Sequence, residues 1–393
     1  MRLARPAGIL VLACAPVLAL TACGPAAGPT ASPSLPAGTT STATSAATMA
    51  GATPAKSSHP ARQPATPSRS PHPAPTHAPA HAAPPASTPV GLHADHVVGD
   101  GTPGSCTSQA VVQAVAAGGV IAFSCGPRPV TIVMTATAKV RNTSAQVVLD
   151  GGGLVTLSGD GVRRILYEDT CDPAQTWITS HCQDQATPAL TVENIAFADG
   201  NSTGQVYDGG GGGAIFDRGG QLTVIDARFT GNRCDSSGPD LGGAAIRALS
   251  QYANRAVEVT GSTFTGGVCS NGGALSSIGV SWVIRDSTFT GNRAIGDGAN
   301  PAQAGTPGGG SGGAIYTDGD DYTVTVDGSV ITGNSAREGG GALFFVSDDK
   351  TGTLTIEQSR LSDNPNAGFQ TAGYPGIFFL GQGHPVVLSS TLS

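Results

Sequence analysis

The sequence predicts an all-β chain: a right-handed parallel β-helix solenoid with a short N-terminal capping helix, preceded by a signal peptide and a disordered tether. Three observations predict it. A two-part phrase recurs at intervals of 25 to 42 residues. Its units are rich in Gly, Thr, Val and Asp and lack a 3.6-residue periodicity. Two cysteines also hold one position in successive units.

The recurring phrase is a Thr/Val-rich strand, then Phe-Thr-Gly-Asn, a variable loop and Gly-Gly-Ala-Ile/Leu. It reads Phe229-Thr230-Gly231-Asn232 with Ala244-Ala245-Ile246, then Phe264-Thr265-Gly266-Gly267 with Gly272-Gly273-Ala274-Leu275. It returns as Phe289 to Asn292 with Gly312 to Ile315, and as Ile331 to Asn334 with Gly340 to Leu343. Worn copies flank these at Phe197 and Leu361. A period in this range marks a solenoid, propeller or array. A propeller blade needs four strands, and each unit here holds two or three, such as Gln221 to Ile225 and Val257 to Val259. One unit cannot bury its own apolar side, so units stack, with strands about 4.8 Å apart. Phe229, Phe264, Phe289 and Ile331 then form an inward apolar ladder. Asn232, Asn292, Asn334 and Asn364 fall at a turn three residues later.

In chain order, residues 1–22 combine a basic start (Arg2, Arg5), an apolar stretch and small residues, which is a secretory signal. Leu20-Thr21-Ala22-Cys23 resembles a lipobox, so Cys23 becomes the lipidated mature N-terminus. An ordinary secretory signal is the alternative. Residues 23–90 hold no Asp, Glu or aromatic residue and are dominated by Ala, Pro, Ser and Thr. Such a tether cannot offset its ordering entropy. At ~3.1 Å per residue it reaches on the order of 200 Å.

The β-helix domain spans 91–393. All 27 acidic residues and only 15 of the 20 basic ones lie beyond residue 90, a charge near −12. That charge argues against nucleic-acid and anionic-lipid partners. The domain begins with a capping helix over Ser108 to Ala117, with Thr107 or Ser108 as N-cap and Gly118 past its end. It covers the exposed first rung. No comparable cap is visible at the other end, where Val386-Val387-Leu388 still reads as strand.

Six cysteines fall in this domain, and an even number in an exported domain reads as disulfides. Cys234 and Cys269 each lie five residues after an anchor Phe. That register places them on adjacent rungs, within disulfide range. Cys171–Cys182 then closes a local insertion and Cys106–Cys125 the cap. No Cys-x-x-Cys pair suggests a metal cluster.

The linked Phe-x-x-Asn and Gly-Gly-Ala-Ile/Leu motifs resemble the repeat of the chlamydial polymorphic outer-membrane proteins. With Gly99 to Cys106 and Leu149-Asp150-Gly151-Gly152-Gly153, they are also similar to the pectate-lyase-like β-helix lipoproteins of actinobacteria. The resemblance covers about residues 97–393. It implies the fold, together with surface display and adhesion. The chlamydial chains end in a membrane barrel; none is visible here, so lipid anchoring takes its place. Polysaccharide lyases and hydrolases share the fold. Of a polygalacturonase-like set only the fragments Asp320-Asp321 and Gly383-His384-Pro385 are present.

One constellation points to a metal. Asp320 and Asp321 follow Ala314 at the spacing at which Asp348 and Asp349 follow Ala342. In phase they stack, and Asp318 joins them. Two carboxylates at ~5 Å repel by about 3 kcal/mol at an effective dielectric of 20, and by under 1 in water. A sheltered turn calls for calcium; an open one needs only solvent, and aspartate-rich turns also arise from local hydrogen bonding. Trp177, inside the Cys171–Cys182 loop, is a candidate sugar contact, whereas Trp282 follows an alternating strand and packs. Arg163, Arg164 and Arg218 are further sugar-acid contacts or partners of aspartates. The loop Gly296 to Gly312 projects between two anchors, as binding insertions do on solenoids.

The sequence therefore leads to a monomeric, lipid-anchored protein on the extracellular face of the cell membrane. Its β-helix is expected to serve adhesion or glycan binding without catalysis, with a polysaccharide or a neighbouring cell surface as partner. The alternatives are an extracellular polysaccharide lyase or hydrolase, and a wall-spanning spacer without ligand.

Overall fold

The computed structural model describes residues 93–205 and 210–393. The proposed signal peptide, Cys23 and the whole tether lie outside the described residues. From His96 to Leu392 the chain winds as a parallel β-helix. Among the described residues the strands all pair in parallel and fall into sheets of 17, 8 and 3. The largest sheet takes two successive strands from most rungs, such as Gln221–Ile225 and Arg228–Thr230. The eight-stranded sheet runs from Ala138–Lys139 to Ile377–Leu380, and the smallest is Val268–Cys269, Arg293–Ala294 and Ser335–Ala336.

Register is held by like residues stacking on like. Phe197, Phe229, Phe264 and Phe289 pair in order, with ring centroids 5.2, 4.7 and 4.6 Å apart and near-parallel rings. Ile331, Leu361 and Leu392 continue the column. At the turn beyond it, the Asn334 side-chain oxygen accepts from the backbone N–H of Asn292 at 2.9 Å and from its side-chain amide at 2.8 Å. Asn364 does the same for Asn334, at 3.0 and 2.9 Å. Gly267 replaces asparagine in the column because a β-carbon there would lie 2.0 Å from the Gly273 carbonyl oxygen. Its N–H still donates to Asn292 Oδ1 at 2.9 Å.

A second ladder is made by serine. Ser262, Ser287, Ser329 and Ser359 each accept the backbone N–H of the rung before, at 2.9 to 3.1 Å when the chain is followed from Ala227 to Ser359 and Ser390. Each hydroxyl donates in turn to the carbonyl two residues back. These serines stand two residues before the anchors. The corner just before them is left-handed, with φ of 46° at Asp226, 61° at Gly261, 49° at Asp286 and 57° at Gly328. The aspartate alternates with glycine for a steric reason. A β-carbon on Gly261 would lie 2.2 Å from Asp226 Oδ1, and one on Gly328 2.6 Å from Asp286 Oδ1.

The helix Ser108–Ala117 buries Val111 and Val115 against the first rungs. Thr107 Oγ1 accepts from the Ala110 N–H, and Gly118, at φ 81°, ends it. Disulfides join Cys106 to Cys125, Cys171 to Cys182 and Cys234 to Cys269, with Cα separations of 5.7, 5.1 and 4.8 Å. The last connects adjacent rungs, as the register of Phe229 on Phe264 requires. Trp282 is buried, with its indole N–H donating to Ser277 Oγ at 2.9 Å. The chain remains strand through Val386–Leu388 and Thr391–Leu392.

The ladders can be tested separately. Asn334→Ala leaves backbone and side-chain groups of three rungs without partners and is expected to cost about 3 kcal/mol in urea unfolding. Ser329→Ala, which removes one acceptor and one donor, should cost about 1–2 kcal/mol. Equal losses would show that the asparagine column carries no more than the serine one.

Candidate functional site: the outer face of the eight-stranded sheet

In this sheet alternate residues face the core. Leu166, Ile215, Ile246, Leu275, Ile315, Leu343 and Ile377 belong to the core. The residue following each belongs to the other face. In strand-to-strand register this outer column reads Tyr167, Phe216, Arg247, Ser276, Tyr316, Phe344 and Phe378, with Lys139 ahead of Tyr167. Most of the column is buried although it faces away from the core, because loops cover it. Phe369 packs edge-on to Phe344 and Phe378. Arg164 lies over the rings of Tyr167 and Phe216, at 5.5 and 4.9 Å, and donates to the carbonyls of Gly211 and Gly212.

Two cavities open along this column. One, of about 450 Å³, is lined by Lys139, Arg164, Tyr167 and Asp172. The Lys139 ammonium lies 4.9 Å from the Tyr167 ring centroid and 3.3 Å from Asp172. The other, of about 880 Å³, is lined by Gln183, Arg218, Asp240, Arg247, Asn300, Asp318 and Asp348 among others. Tyr167 and Arg247 are two rungs apart, so the centres of the two cavities fall on the order of 10 Å apart along the column.

The second cavity holds the more distinctive chemistry. Arg247, 1 % exposed, lies at its floor. Its guanidinium donates to Ser276 Oγ at 2.5 Å and to the Asp240 carbonyl at 2.6 Å, while its Nε has no partner. Burial pulls its pKa down to about 10, so it stays a cation at neutral pH. Asn300, from the loop Gly296 to Gly312, reaches back over the sheet. Its amide donates to Asp240 Oδ1, Tyr316 Oη and Asp318 Oδ2, at 3.0, 2.8 and 2.8 Å. Tyr316 donates to the same Asp318 oxygen at 2.9 Å. Burial raises the Asp318 pKa, and the charge of Asp348 adds to the rise; Tyr316 and the Gly319 N–H oppose it. Burial also pushes the Tyr316 phenol well above its ordinary range. The cavity thus presents a cation, carboxylates and amides within one enclosure, a set suited to hydroxyl-rich ligands.

The five-aspartate cation site is not assembled. Asp318 and Asp348 line the cavity, but Asp320, Asp321 and Asp349 do not, and all but Asp318 are exposed. Asp349 turns onto its own loop, accepting from Ser347 Oγ, the Thr351 N–H and Thr351 Oγ1, which lowers its pKa. Local turn hydrogen bonding has claimed the carboxylate that a metal would need. Among the described residues no group of three or more His, Cys, Asp or Glu side chains is placed to hold a metal ion.

Trp177 is 41 % exposed on the Cys171–Cys182 loop. Its carbonyl accepts from Asn142 Nδ2 at 3.0 Å, which fixes the backbone beneath the ring. The same loop borders both cavities, through Asp172 and Pro173 at one and Gln183, just past Cys182, at the other. Arg218 lies 3.9 Å from Asp169. Arg247, Asn300 and Tyr316 were missed at the sequence level. The signal was present, since the outer column is the residue directly after each Gly-Gly-Ala-Ile/Leu phrase.

Compared with protein-family models, curated proteins and solved structures, the chain matches none.

Asp318 gives the pH test. Its folded pKa lies above the ordinary 3.8. The folded state therefore binds more protons between those two values, and stability falls as pH rises through the folded pKa. Asp318→Asn removes this contribution. Thermal unfolding from pH 3.5 to 7.5 should show the wild type losing stability relative to the variant as pH rises. Parallel curves would show that the carboxyl is not strained by its enclosure.

Proposed function

We propose that this chain is a lipid-anchored protein of the extracellular face whose β-helix binds an extended polysaccharide along the outer column of the eight-stranded sheet, without turning it over. The observation that carries the reading is the alignment of two cavities on one face. One is lined by Tyr167 with Lys139, Arg164 and Asp172, the other by Arg247, Asn300 and the carboxylates of Asp240, Asp318 and Asp348. A polymer with a regular repeat engages such a surface at several points at once. Trp177, exposed on the loop that borders both cavities, offers a ring face for sugar stacking. The recurrent phrases, similar to those of pectate-lyase-like β-helix lipoproteins and chlamydial surface proteins, favour the same setting. In that setting Cys23 carries the lipid and residues 23–90 lift the domain away from the bilayer. Among the described residues no helix is long and apolar enough to cross a membrane.

A second reading is favoured by one observation. Asp318, its pKa raised by burial beside Asp348, is a carboxyl suited to donate a proton, as a hydrolase acting on the same polymer requires.

Both readings are tested by presenting the protein with a panel of plant and bacterial polysaccharides. Retention on one or more polymers, with no reducing ends or unsaturated products released, is the expected result. Lys139→Ala and Asp348→Ala, at the two cavities, should each weaken retention about tenfold, equivalent to about 1.4 kcal/mol, with little change in melting temperature. Product release that Asp318→Asn abolishes would replace the binding reading with the hydrolase. Retention unaffected by either cavity variant would remove this face as the site.

A further inference from the structure

The eight-stranded sheet has a second core-facing column, one residue after the outer one. It reads Glu168, Asp217, Ala248, Ser277, Thr317, Phe345 and Phe379 in register. Polar groups at four of these positions are enclosed by the coil. Ser277 Oγ receives the Trp282 indole N–H, and Thr317 Oγ1 the Tyr322 hydroxyl, at 2.9 and 3.1 Å. The first two positions differ. Glu168 and Asp217 sit on neighbouring strands, 1 % and 0 % exposed, and among the described residues no cationic side chain forms an ion pair with either.

Their oxygens are left over. Neither oxygen of Glu168 has a hydrogen-bond partner, and neither does Asp217 Oδ1. Asp217 Oδ2 receives the side-chain amide of Gln251, which also donates to the Ser250 carbonyl. Gln185 is a fourth case. Its amide donates to the Thr187 carbonyl at 2.6 Å, while its side-chain oxygen is unpartnered. Gln185 is tied to this spot through Gly220, whose N–H donates to the Gln185 carbonyl at 3.0 Å. Gly220 packs directly on the pair. A β-carbon on it would lie 2.4 Å from Glu168 Oε1 and 2.3 Å from the Pro188 carbonyl oxygen.

Four buried oxygen acceptors lack donors here, three of them on two stacked carboxyls, and native folds leave few such groups. A single proton shared between the carboxyls engages two of the four. One cation of charge two would neutralise both carboxylates and take the Gln185 oxygen as a further ligand. All the free groups are oxygens, two of them from a carboxylate able to bind in bidentate fashion. Such a donor set, completed by backbone carbonyls or water, fits calcium rather than a transition metal, and its irregular geometry suits the strict octahedron of magnesium poorly. We propose that Glu168, Asp217 and Gln185 form a calcium site inside the coil, between two rungs of the eight-stranded sheet. The ion would pin the N-terminal rungs of the sheet together. The proposal is independent of the outer face and of any polysaccharide.

The experiment uses the full chain stripped with chelator and then given calcium or magnesium alone at pH 7.5. One calcium per chain is expected in metal analysis after desalting. At a hundredfold excess over Kd the melting temperature should rise by about 5–10 °C, with little response to magnesium. Glu168→Gln and Asp217→Asn, which keep the side-chain shape, should abolish both the stoichiometric metal and the shift. Asp320→Asn, on the exposed turn, should leave both intact. If a variant does not fold, the wild-type stoichiometry and melting shift still decide. Absence of calcium binding overturns the proposal. In that case, stabilisation of the wild type between pH 8 and 5 would identify a proton-sharing carboxyl pair instead. Calcium bound equally by the folded Glu168→Gln variant also overturns it, by placing the ion elsewhere.

Discussion

The constraint on which the rest depends is parallel, in-register stacking. Each rung presents to the next a strand shifted by about 4.8 Å and carrying side chains at matching positions. A residue therefore meets mainly its own counterpart, and only certain types satisfy a counterpart identical to themselves. Phenylalanine does so by offset stacking, as Phe229, Phe264 and Phe289 show. Asparagine does so because it carries donor and acceptor on one group, so Asn292, Asn334 and Asn364 bond in series. Serine does so by accepting from one rung while donating within its own. Charged residues cannot, since like charges in register repel.

This explains what could be read from the sequence. The phenylalanine and asparagine columns were legible because identical residues recurred at one offset from a shared phrase. The Cys234–Cys269 bridge was legible for the same reason: a common offset on stacked rungs means proximity. The serine column was equally regular, two residues ahead of each anchor, but serine in a Thr-rich strand reads as composition until a bond is seen. The five-aspartate reading shows the limit of offset arguments. Register places backbones, not carboxylates, and Asp349 turns one oxygen, Oδ1, onto Ser347 and Thr351.

The outer column was least legible because it departs from repetition. Phe216, Arg247, Ser276 and Tyr316 are consecutive neighbours and no two are alike. A fold that rewards identity does not produce this sequence from its own needs. The loops add what register cannot predict. Asn300 lies 16 residues from Tyr316 in the chain and reaches it from a loop of unusual length, while the Asp240 carbonyl comes from a different rung's connection. Loop conformation determines both contacts, and offset counting does not see it.

The same reasoning separates the two faces of the eight-stranded sheet. On the core side, departures from identity are resolved by whatever side chain the interior supplies, as Trp282 does for Ser277 and Tyr322 for Thr317. Glu168 on Asp217 is the departure for which the interior supplies only the Gln251 amide, and there the stacking rule is violated in its most expensive form, with one carboxyl on another out of water. On the outer side, Arg247 is enclosed among carboxylates without pairing to one, which leaves its charge directed into a cavity rather than spent within the fold. A solenoid that stacks like on like nearly everywhere can tolerate such positions because each rung's stability is drawn from its neighbours. The rungs carrying Glu168, Asp217 and Arg247 are held by Phe197, Phe229 and the Cys234–Cys269 bridge on their far sides. Regular columns on the largest sheet thus supply the stability that lets the eight-stranded sheet carry irregular, charged chemistry.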